Sequence, residues 1–437
     1  KPRIVKTTPK NVFCIRLADW LVSTQWHFTT LTATIIQHAN PIPKDIDQLV
    51  NQLLLTFPEK PPLNELIKYL IKSPYLRLWF IHPQHQPSIH ELNLSALPSQ
   101  KWRFPNLPKL SSNIDLADWL NISPNELEWL ADLKRSNHSF NHKLKHYHYR
   151  VIEKKRGGFR LIESPKPLLK EIQQKINAEL LGELPVHDAA HGFRKARNNA
   201  THAAEHCAKE VLILFDLSNC FLSIQWHAAY KSLIQLGYCG EVTKYLTGLC
   251  THRLNSNEAV LTSFDKTHRN LILERHLPQG APSSPTLSNS ALYHLDKRLT
   301  GLSKKLDLSY SRYADDLAFS SNRIRDWRFL EAIVGSICLE EGLQLNYRKS
   351  RILKSQQRQK LTGLVINEKP NIDRRYYNNL KATLTNCVRY GLESQNRQEH
   401  KSFYSHLQGS VNYVSQINSQ RGAKLRKILE QIKIDKK

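Results

Sequence analysis

Three acidic residues stand where this chain could do chemistry. Val211-Leu212-Ile213-Leu214-Phe215 is a continuous apolar run that ends abruptly in Asp216. That pattern predicts a buried strand delivering a carboxylate at its end. Ser309 to Ser320 reads Ser-Tyr-Ser-Arg-Tyr-Ala-Asp-Asp-Leu-Ala-Phe-Ser. Two short strands flanking Ala314-Asp315-Asp316 predict a hairpin with acids at its tip. Adjacent carboxylates repel, so an apolar-flanked pair calls for a neutralising partner, and a divalent cation is one. If the tip lies beside Asp216, the three acids can hold two Mg²⁺ about 3.5–4 Å apart. Such a pair activates an attacking hydroxyl and stabilises the leaving oxygen in phosphoryl or nucleotidyl transfer. Taken singly, each element has a plainer reading, since an Asp closing a strand usually caps the next turn. The strand context and the second acidic strand favour chemistry.

The elements that must position these acids are read from turn residues and periodicity. Leu277-Pro278-Gln279-Gly280-Ala281-Pro282-Ser283-Ser284-Pro285 is a turn-rich loop, followed by a helix-like stretch from Thr286 to Leu299. Gln279 beside Gly280 could offer a nucleotide both a side-chain amide and closely approached backbone. Gly157-Gly158 reads as a hairpin turn between Val151-Ile152 and Phe159-Arg160-Leu161-Ile162. It is not a Walker loop, because no Gly-Lys-Ser or Gly-Lys-Thr follows. Residues 1 to about 96 read as mainly helical, with helical spacing around Leu49–Leu55 and Leu63–Ile71. Pro98, Pro105 and Pro108, then Ser111-Ser112-Asn113, mark a linker. Ser123-Pro124-Asn125-Glu126 is a helix start, with Ser as cap, Pro in the first position and Glu closing a capping box. Leu17-Ala18-Asp19-Trp20-Leu21 recurs as Leu116-Ala117-Asp118-Trp119-Leu120, which predicts two similar amphipathic faces and no repeat architecture.

Composition narrows the class. In 437 residues, 63 Lys and Arg face 38 Asp and Glu, a formal net charge of +25. With 40% hydrophobic residues, the chain is neither disordered nor fibrous and has length for two or three domains. No apolar run approaches the ~18 residues of a membrane span. The stretch opening Lys1-Pro2-Arg3 lacks the apolar core of a secretory signal. Seven Cys without a CxxC pair argue against a disulfide framework and a Cys-based zinc site, so a cytoplasmic setting is expected. Met is wholly absent, for which the sequence offers no physical reason, and Lys1 need not be the gene's first residue. Residues 341–437 hold 20 Lys/Arg against 7 Asp/Glu, a net of +13. A second basic stretch, Lys143, Lys145, Arg150, Lys154, Lys155, Arg156 and Arg160, is interleaved with Tyr147, Tyr149 and Phe159. One such cluster could be mere solvated surface; two in so basic a chain point to nucleic acid. His82, His85 and His90, and His142, His146 and His148, lack helpful companions for zinc and are expected at the surface or on nucleic acid.

Asp216 with Phe221 five residues on, Leu277-Pro278-Gln279-Gly280, and Tyr313-Ala314-Asp315-Asp316, in this order, resemble a reverse transcriptase. Leu361-Thr362-Gly363-Leu364 resembles the Val-Thr-Gly segment of the bacterial retron branch. His202-Ala203-Ala204-Glu205-His206 resembles that branch's Asn-Ala-x-x-His segment, with His202 where the family has Asn. The resemblance implies an α/β (α+β) right-hand polymerase: fingers, an antiparallel-sheet palm and a helical thumb, preceded by a mainly helical N-terminal region. The expected divisions are 1–97 for that region, 98–113 for the linker, 114–370 for fingers and palm, and 371–437 for the basic thumb. By resemblance, Asp216, Asp315 and Asp316 bind two catalytic Mg²⁺, and Phe221 blocks a nucleotide's 2′-hydroxyl. Gln279 touches the incoming nucleotide, and Arg160, with Lys154 or Lys155, holds the triphosphate. Lys349 takes the place of the lysine that protonates departing pyrophosphate.

The resemblance further implies partners: a structured noncoding RNA as template and primer, deoxynucleoside triphosphates, an RNA-linked single-stranded DNA product, and an effector protein in phage defence. No membrane partner is expected. Within the same class, the alternatives are an abortive-infection or a group II intron-like reverse transcriptase. The short stretch after the thumb's start leaves little room for a maturase and endonuclease tail. Outside that class, the alternative is an RNA-binding scaffold on a dead polymerase fold, against which stand the three acids.

Overall fold

The computed structural model describes residues 9–40, 45–80, 88–89, 104, 106–133, 145–154, 157–323 and 327–432. The chain divides into two compact units, Lys1–Pro98 and Ser99–Lys437. The first holds helices α1 (Pro9–Ser23), α2 (Phe28–His38), α3 (Ile46–Thr56), α4 (Leu63–Lys72) and α5 (Pro74–Trp79). Strands β1 (Ala39–Asn40) and β2 (Ser88–Ile89) pair antiparallel. Leu49, Leu53, Leu66 and Leu70 are fully buried with Leu17, Leu21, Leu31 and Ile35. The four-residue spacing on α3 and α4 puts each pair on one inward face.

The second unit opens with α6 (Asn113–Leu120) and α7 (Pro124–Ala131), each started by a complete capping box, Ser112 with Asp115 and Ser123 with Glu126. The echoed pentapeptides bury the same positions, Leu17, Ala18 and Leu21 in α1 and Leu116, Ala117 and Leu120 in α6. Residues 106–112 of the stretch read as a linker are not a free tether. Leu107 and Leu110 are buried, and Tyr238 donates a hydrogen bond to the Pro108 carbonyl.

A hairpin follows, β3 (Tyr147–Glu153) and β4 (Phe159–Pro165), turning at Gly157-Gly158. Then come α8 (Pro167–Glu179), α9 (Asn199–Ala204), β5 (Val211–Asp216), α10 (Cys220–Ser223), α11 (Trp226–Leu233), α12 (Gly240–Cys250), α13 (Lys266–Leu273), α14 (Ser284–Ala291) and α15 (Tyr293–Lys305). Beyond them lie β6 (Ser309–Tyr313), β7 (Asp316–Ser321), α16 (Trp327–Glu340), β8 (Arg351–Lys354), β9 (Lys360–Leu361), β10 (Leu364–Val365), β11 (Asn371–Ile372), α17 (Arg374–Tyr390), α18 (Phe403–Ile417) and α19 (Ser419–Leu429). This is an α+β fold.

The central sheet is antiparallel in the order β6-β7-β5-β8. Every residue of β5 is buried because both faces of the sheet are covered. On one face Leu212, Leu214 and Ala318 join an apolar cluster with Leu380, Leu384, Leu407, Val411 and Leu425 of α17, α18 and α19. On the other, Phe215 meets Phe319 edge-on at 5.8 Å, and Tyr310 beside Phe319 donates to Asp296 of α15. Coverage on both sides explains an unbroken apolar run where a half-exposed strand would alternate. Each such Leu or Phe contributes roughly 1.5–3 kcal/mol by leaving water.

The helix expected over Thr286–Leu299 is instead two, broken at Leu292, where ψ is 2°. Its first half is rich in Ser and Asn, weak helix formers. Ser288 bonds back to the Pro285 carbonyl, and Asn289 turns to the Gly192 carbonyl. All seven cysteines are free thiols. Among the described residues no helix is long and apolar enough to cross a membrane.

Candidate active site

Register brings the three acids together. Asp216 ends β5 directly opposite Asp316, the first residue of β7. Asp316 is therefore a strand residue, and the hairpin tip is Ala314-Asp315, not the three-residue tip expected. The turn is stitched to β5 by the Leu217 N–H donating to the Asp315 carbonyl at 2.9 Å. On the other side the Asn346 N–H donates to the Asp216 carbonyl at 2.8 Å.

The shape of that turn is set by a residue that motif reading passed over. Arg312, fully buried, grips the equally buried Asp296 through Nε and Nη2, the shortest contact being 2.7 Å. Its Nη1 donates to the Ala314 carbonyl at 2.9 Å and to Asn289 Oδ1 at 3.1 Å. Burial alone would lower the guanidinium's pKa, but the Asp296 charge outweighs it and holds the group ionised. Ala314 sits at φ 57°, and Gly192 lies so close that a Cβ there would come 2.8 Å from the Ala314 nitrogen. The sequence signal was a charged Arg312 within the strand expected before the acidic tip.

Asp315 and Asp316 resist ionisation. Burial, then the Asp216 charge, raises the Asp315 carboxyl. Asp316 keeps contact with solvent at the strand's start, yet the protein around its carboxyl, and then Asp315 and Asp216, push it up to about 6. Lys349 answers part of this charge, its Nζ donating to both Asp216 carboxylate oxygens at 2.8 and 2.7 Å. Lys154 lies within electrostatic reach, its pKa lowered by burial and then by the charges of Arg160 and Lys349. As the chain stands, no three described His, Cys, Asp or Glu side chains are arranged to hold a metal ion. The chemistry of the donor set nonetheless fits a hard divalent cation: oxygen-only ligands, mutually repelling and short of positive charge.

The remaining candidates lie on α10, on β4 and in the loop that packs on β4. Phe221, on α10, is partly exposed between buried Cys220 and Leu222. The Gln279 carbonyl accepts from the Glu163 N–H of β4 at 2.9 Å. A Cβ at the next residue, Gly280, would stand 2.8 Å from the Glu163 carbonyl oxygen, so the loop lies flat on β4. Buried Glu163 is paired with His276 at 2.9 Å, which anchors that contact. Arg160 is exposed on the same strand. Lys155 lies outside the described residues.

The retron-like segments lie against the sheet face that carries Leu212, Leu214 and Ala318. His206 bonds Ser311 of β6 and Ser320 of β7, both at 2.7 Å, and His202 bonds Ser311 at 2.8 Å. Burial holds both imidazoles well below their usual range, His206 at about 3. Asn199 of the same helix donates to the Thr362 carbonyl, and Thr362 and Gly363 turn with φ of 43° and 89°. The two segments thus meet in space. His146 corrects an expectation: it is buried, bonded to the Trp129 carbonyl at 2.9 Å, and presents no free surface. His82, His85, His90 and His142 lie outside the described residues.

Comparison with known proteins agrees with this geometry. A family model described as "Reverse transcriptase (RNA-dependent DNA polymerase)" matches residues 152–366. The chain is 31% identical over 322 residues to the retron Mx65 reverse transcriptase of Myxococcus xanthus, covering 73% of this chain and 71% of that one. It is 34% identical over 281 residues to the retron Mx162 reverse transcriptase of the same organism, covering 61% and 56%. It is also 30% identical over 243 residues to the retron Ec86 reverse transcriptase of Escherichia coli, covering 54% and 69%. A strand-borne acid registered against an acidic hairpin, in a chain with these relatives, has one consistent reading: the protein belongs to the retron-type reverse transcriptases and is an RNA-directed DNA polymerase.

Proposed function

We propose that the protein copies a structured noncoding RNA, which also serves as primer, into single-stranded DNA that stays joined to the RNA. The observation that carries this is the cross-strand register of Asp216 with Asp316, with Asp315 beside them and Lys154, Arg160 and Lys349 nearby. In this reading β5 to β8 form the palm, the β3–β4 hairpin and α13 belong to the fingers, and residues 371–437 form the thumb. Residues 1–97 form a docking module joined by the 98–113 stretch.

Asp216, Asp315 and Asp316 would hold two Mg²⁺, which would supply a lowered pKa for the primer hydroxyl and charge to stabilise departing pyrophosphate. Arg160 grips two phosphate oxygens at once, as a planar guanidinium can, with Lys154 beside it. Phe221 excludes a 2′-hydroxyl, and Gln279 orients the nucleotide from its loop on β4. Lys349, whose Nζ lies at Asp216, donates a proton to pyrophosphate. The basic C-terminal stretch binds RNA backbone. The family resemblance supports a role in phage defence with an effector protein.

Protein expressed with its flanking locus should carry DNA joined to RNA through a 2′,5′ linkage, released by a debranching enzyme, and Asp315→Asn protein should carry RNA without DNA. DNA free of RNA, or joined to protein, would overturn the retron product. An Asp315→Asn protein loaded with normal amounts of product would overturn the two-cation site.

A further inference from the structure

The segment that carries Phe221 is held from outside the sheet. Asn219 adopts a left-handed conformation, φ 50° and ψ 37°, and its side chain makes no capping bond to α10. Asn tolerates this backbone because its short polar side chain can bond nearby. Here it reaches across to α13, where Asn219 Oδ1 lies 2.9 Å from His268 Nε2. The other ring nitrogen, Nδ1, lies 2.7 Å from Asp265 Oδ2. Asp265 also accepts the His268 backbone N–H at 2.9 Å, as the N-cap of α13. The imidazole is therefore fixed at both edges.

The same ring has an aromatic neighbour on its other side. Phe264 lies 6.1 Å from His268, centroid to centroid, and meets Phe159 edge-on at 6.5 Å. Phe159 precedes Arg160 on β4. Contacts thus run from the hairpin bearing Arg160, through Phe264 and His268, to Asn219, two residues before Phe221. Helix α10 has only four residues, too few to hold its own shape by helix propensity.

We propose that His268 is a positioning residue for sugar selection: by clamping Asn219 it fixes where the Phe221 ring stands and ties that ring to the triphosphate-gripping hairpin. This rests on the reading of Phe221 as the group that excludes the 2′-hydroxyl. Steric exclusion is short-ranged, and a displacement near 1 Å is enough to alter reactivity strongly. A purely structural His268, bracing the start of α13, would affect folding and leave nucleotide choice untouched.

The test is single-nucleotide incorporation by the full chain on an RNA template, with matched deoxy- and ribonucleoside triphosphates. The quantity read is the ratio of their kcat/KM values for wild type, Phe221→Ala, His268→Ala and His268→Gln. His268→Ala should lose about tenfold in discrimination, the change that roughly 1.4 kcal/mol of differential transition-state binding produces. Deoxynucleotide incorporation should be largely kept. His268→Gln, whose amide nitrogen can replace Nε2 against Asn219, should restore the ratio. If Phe221→Ala relaxes selection and His268→Ala does not, the clamp is refuted while the Phe221 reading stands. Equal relaxation in His268→Ala and His268→Gln also refutes it. If neither Phe221→Ala nor His268→Ala changes the ratio, both readings fall. Should His268→Ala not fold, Asn219→Gly removes the same bond while permitting the left-handed backbone, and an unchanged ratio there refutes the clamp.

Discussion

Replacing Asp296 by Asn tests whether the buried ion pair shapes the acidic turn. Arg312 and Asp296 have no solvent-exposed side-chain surface, and their bonds measure 2.7, 2.9 and 3.1 Å. A guanidinium cannot shed its proton to escape burial, so Asp296→Asn strands a cation in the core. Breaking one partner of such a pair costs ~3–5 kcal/mol, a large share of the ~5–15 kcal/mol that stabilises a typical domain. The variant should therefore unfold at markedly lower urea, followed by intrinsic fluorescence. Synthesis should fall further than folding explains, because Arg312 also holds the Ala314 carbonyl at 2.9 Å, and a shift of about 1 Å at a reacting group can cost ~100-fold. The double replacement Arg312→Met with Asp296→Leu removes both charges and should recover most of the stability. It should stay slow in primer extension at a temperature where it is folded, since nothing then bonds Ala314. An Asp296→Asn protein within ~1 kcal/mol of wild type and extending primers at the normal rate would refute the reasoning. So would a fully active double variant.

Lys349 spans both oxygens of Asp216, so a cation entering there must displace it. Lys349→Ala should show Mg²⁺-dependent thermal stabilisation with a midpoint several-fold lower than wild type, and an unchanged or higher midpoint would count against that competition. Asp316 is held at about 6 in the folded chain, above its value of about 4 when unfolded. The folded state thus binds the proton more tightly, and in chelator this acid's contribution to stability falls as pH rises from about 4 to about 6. Protons and cations compete for the same carboxylate, so the rise in melting temperature on adding Mg²⁺ should shrink as pH drops through about 6. A rise as large at pH ~5 as at pH ~8 would show that Asp316 is not a ligand.

The sequence disclosed the parts of the site whose chemistry is local. An apolar run ending in Asp216 and an Asp pair between short strands are legible because strand burial and turn formation depend on neighbouring residues. The Ser123 helix start was legible for the same reason, since a capping box is complete within four residues, whereas Ser112, read as linker, starts α6 with a box of its own. Where a partner lay far along the chain, sequence was silent or misleading. His146 looked like a surface group in a basic stretch, and only its burial against Trp129 removed it from the candidates. The helix expected over Thr286–Leu299 was broken by demands from elsewhere, with Asn289 serving Gly192 and Arg312 at separations of 97 and 23 residues.

The sequence by itself determined the chemical inventory: three carboxylates, their order along the chain, the basic excess and the family they resemble. Only the tertiary structure decided that Asp216 faces Asp316 residue for residue, because a strand register slipped by one would turn every side chain to the other face. It alone decided that Arg312 is sunk against Asp296, that His202 and His206 brace β6 and β7 through Ser311 and Ser320, and that His268 reaches the segment of Phe221. Such contacts join residues dozens of positions apart, and no local propensity encodes them. They exist because packing both faces of the sheet leaves most buried polar groups few geometries in which hydrogen bonds can be met.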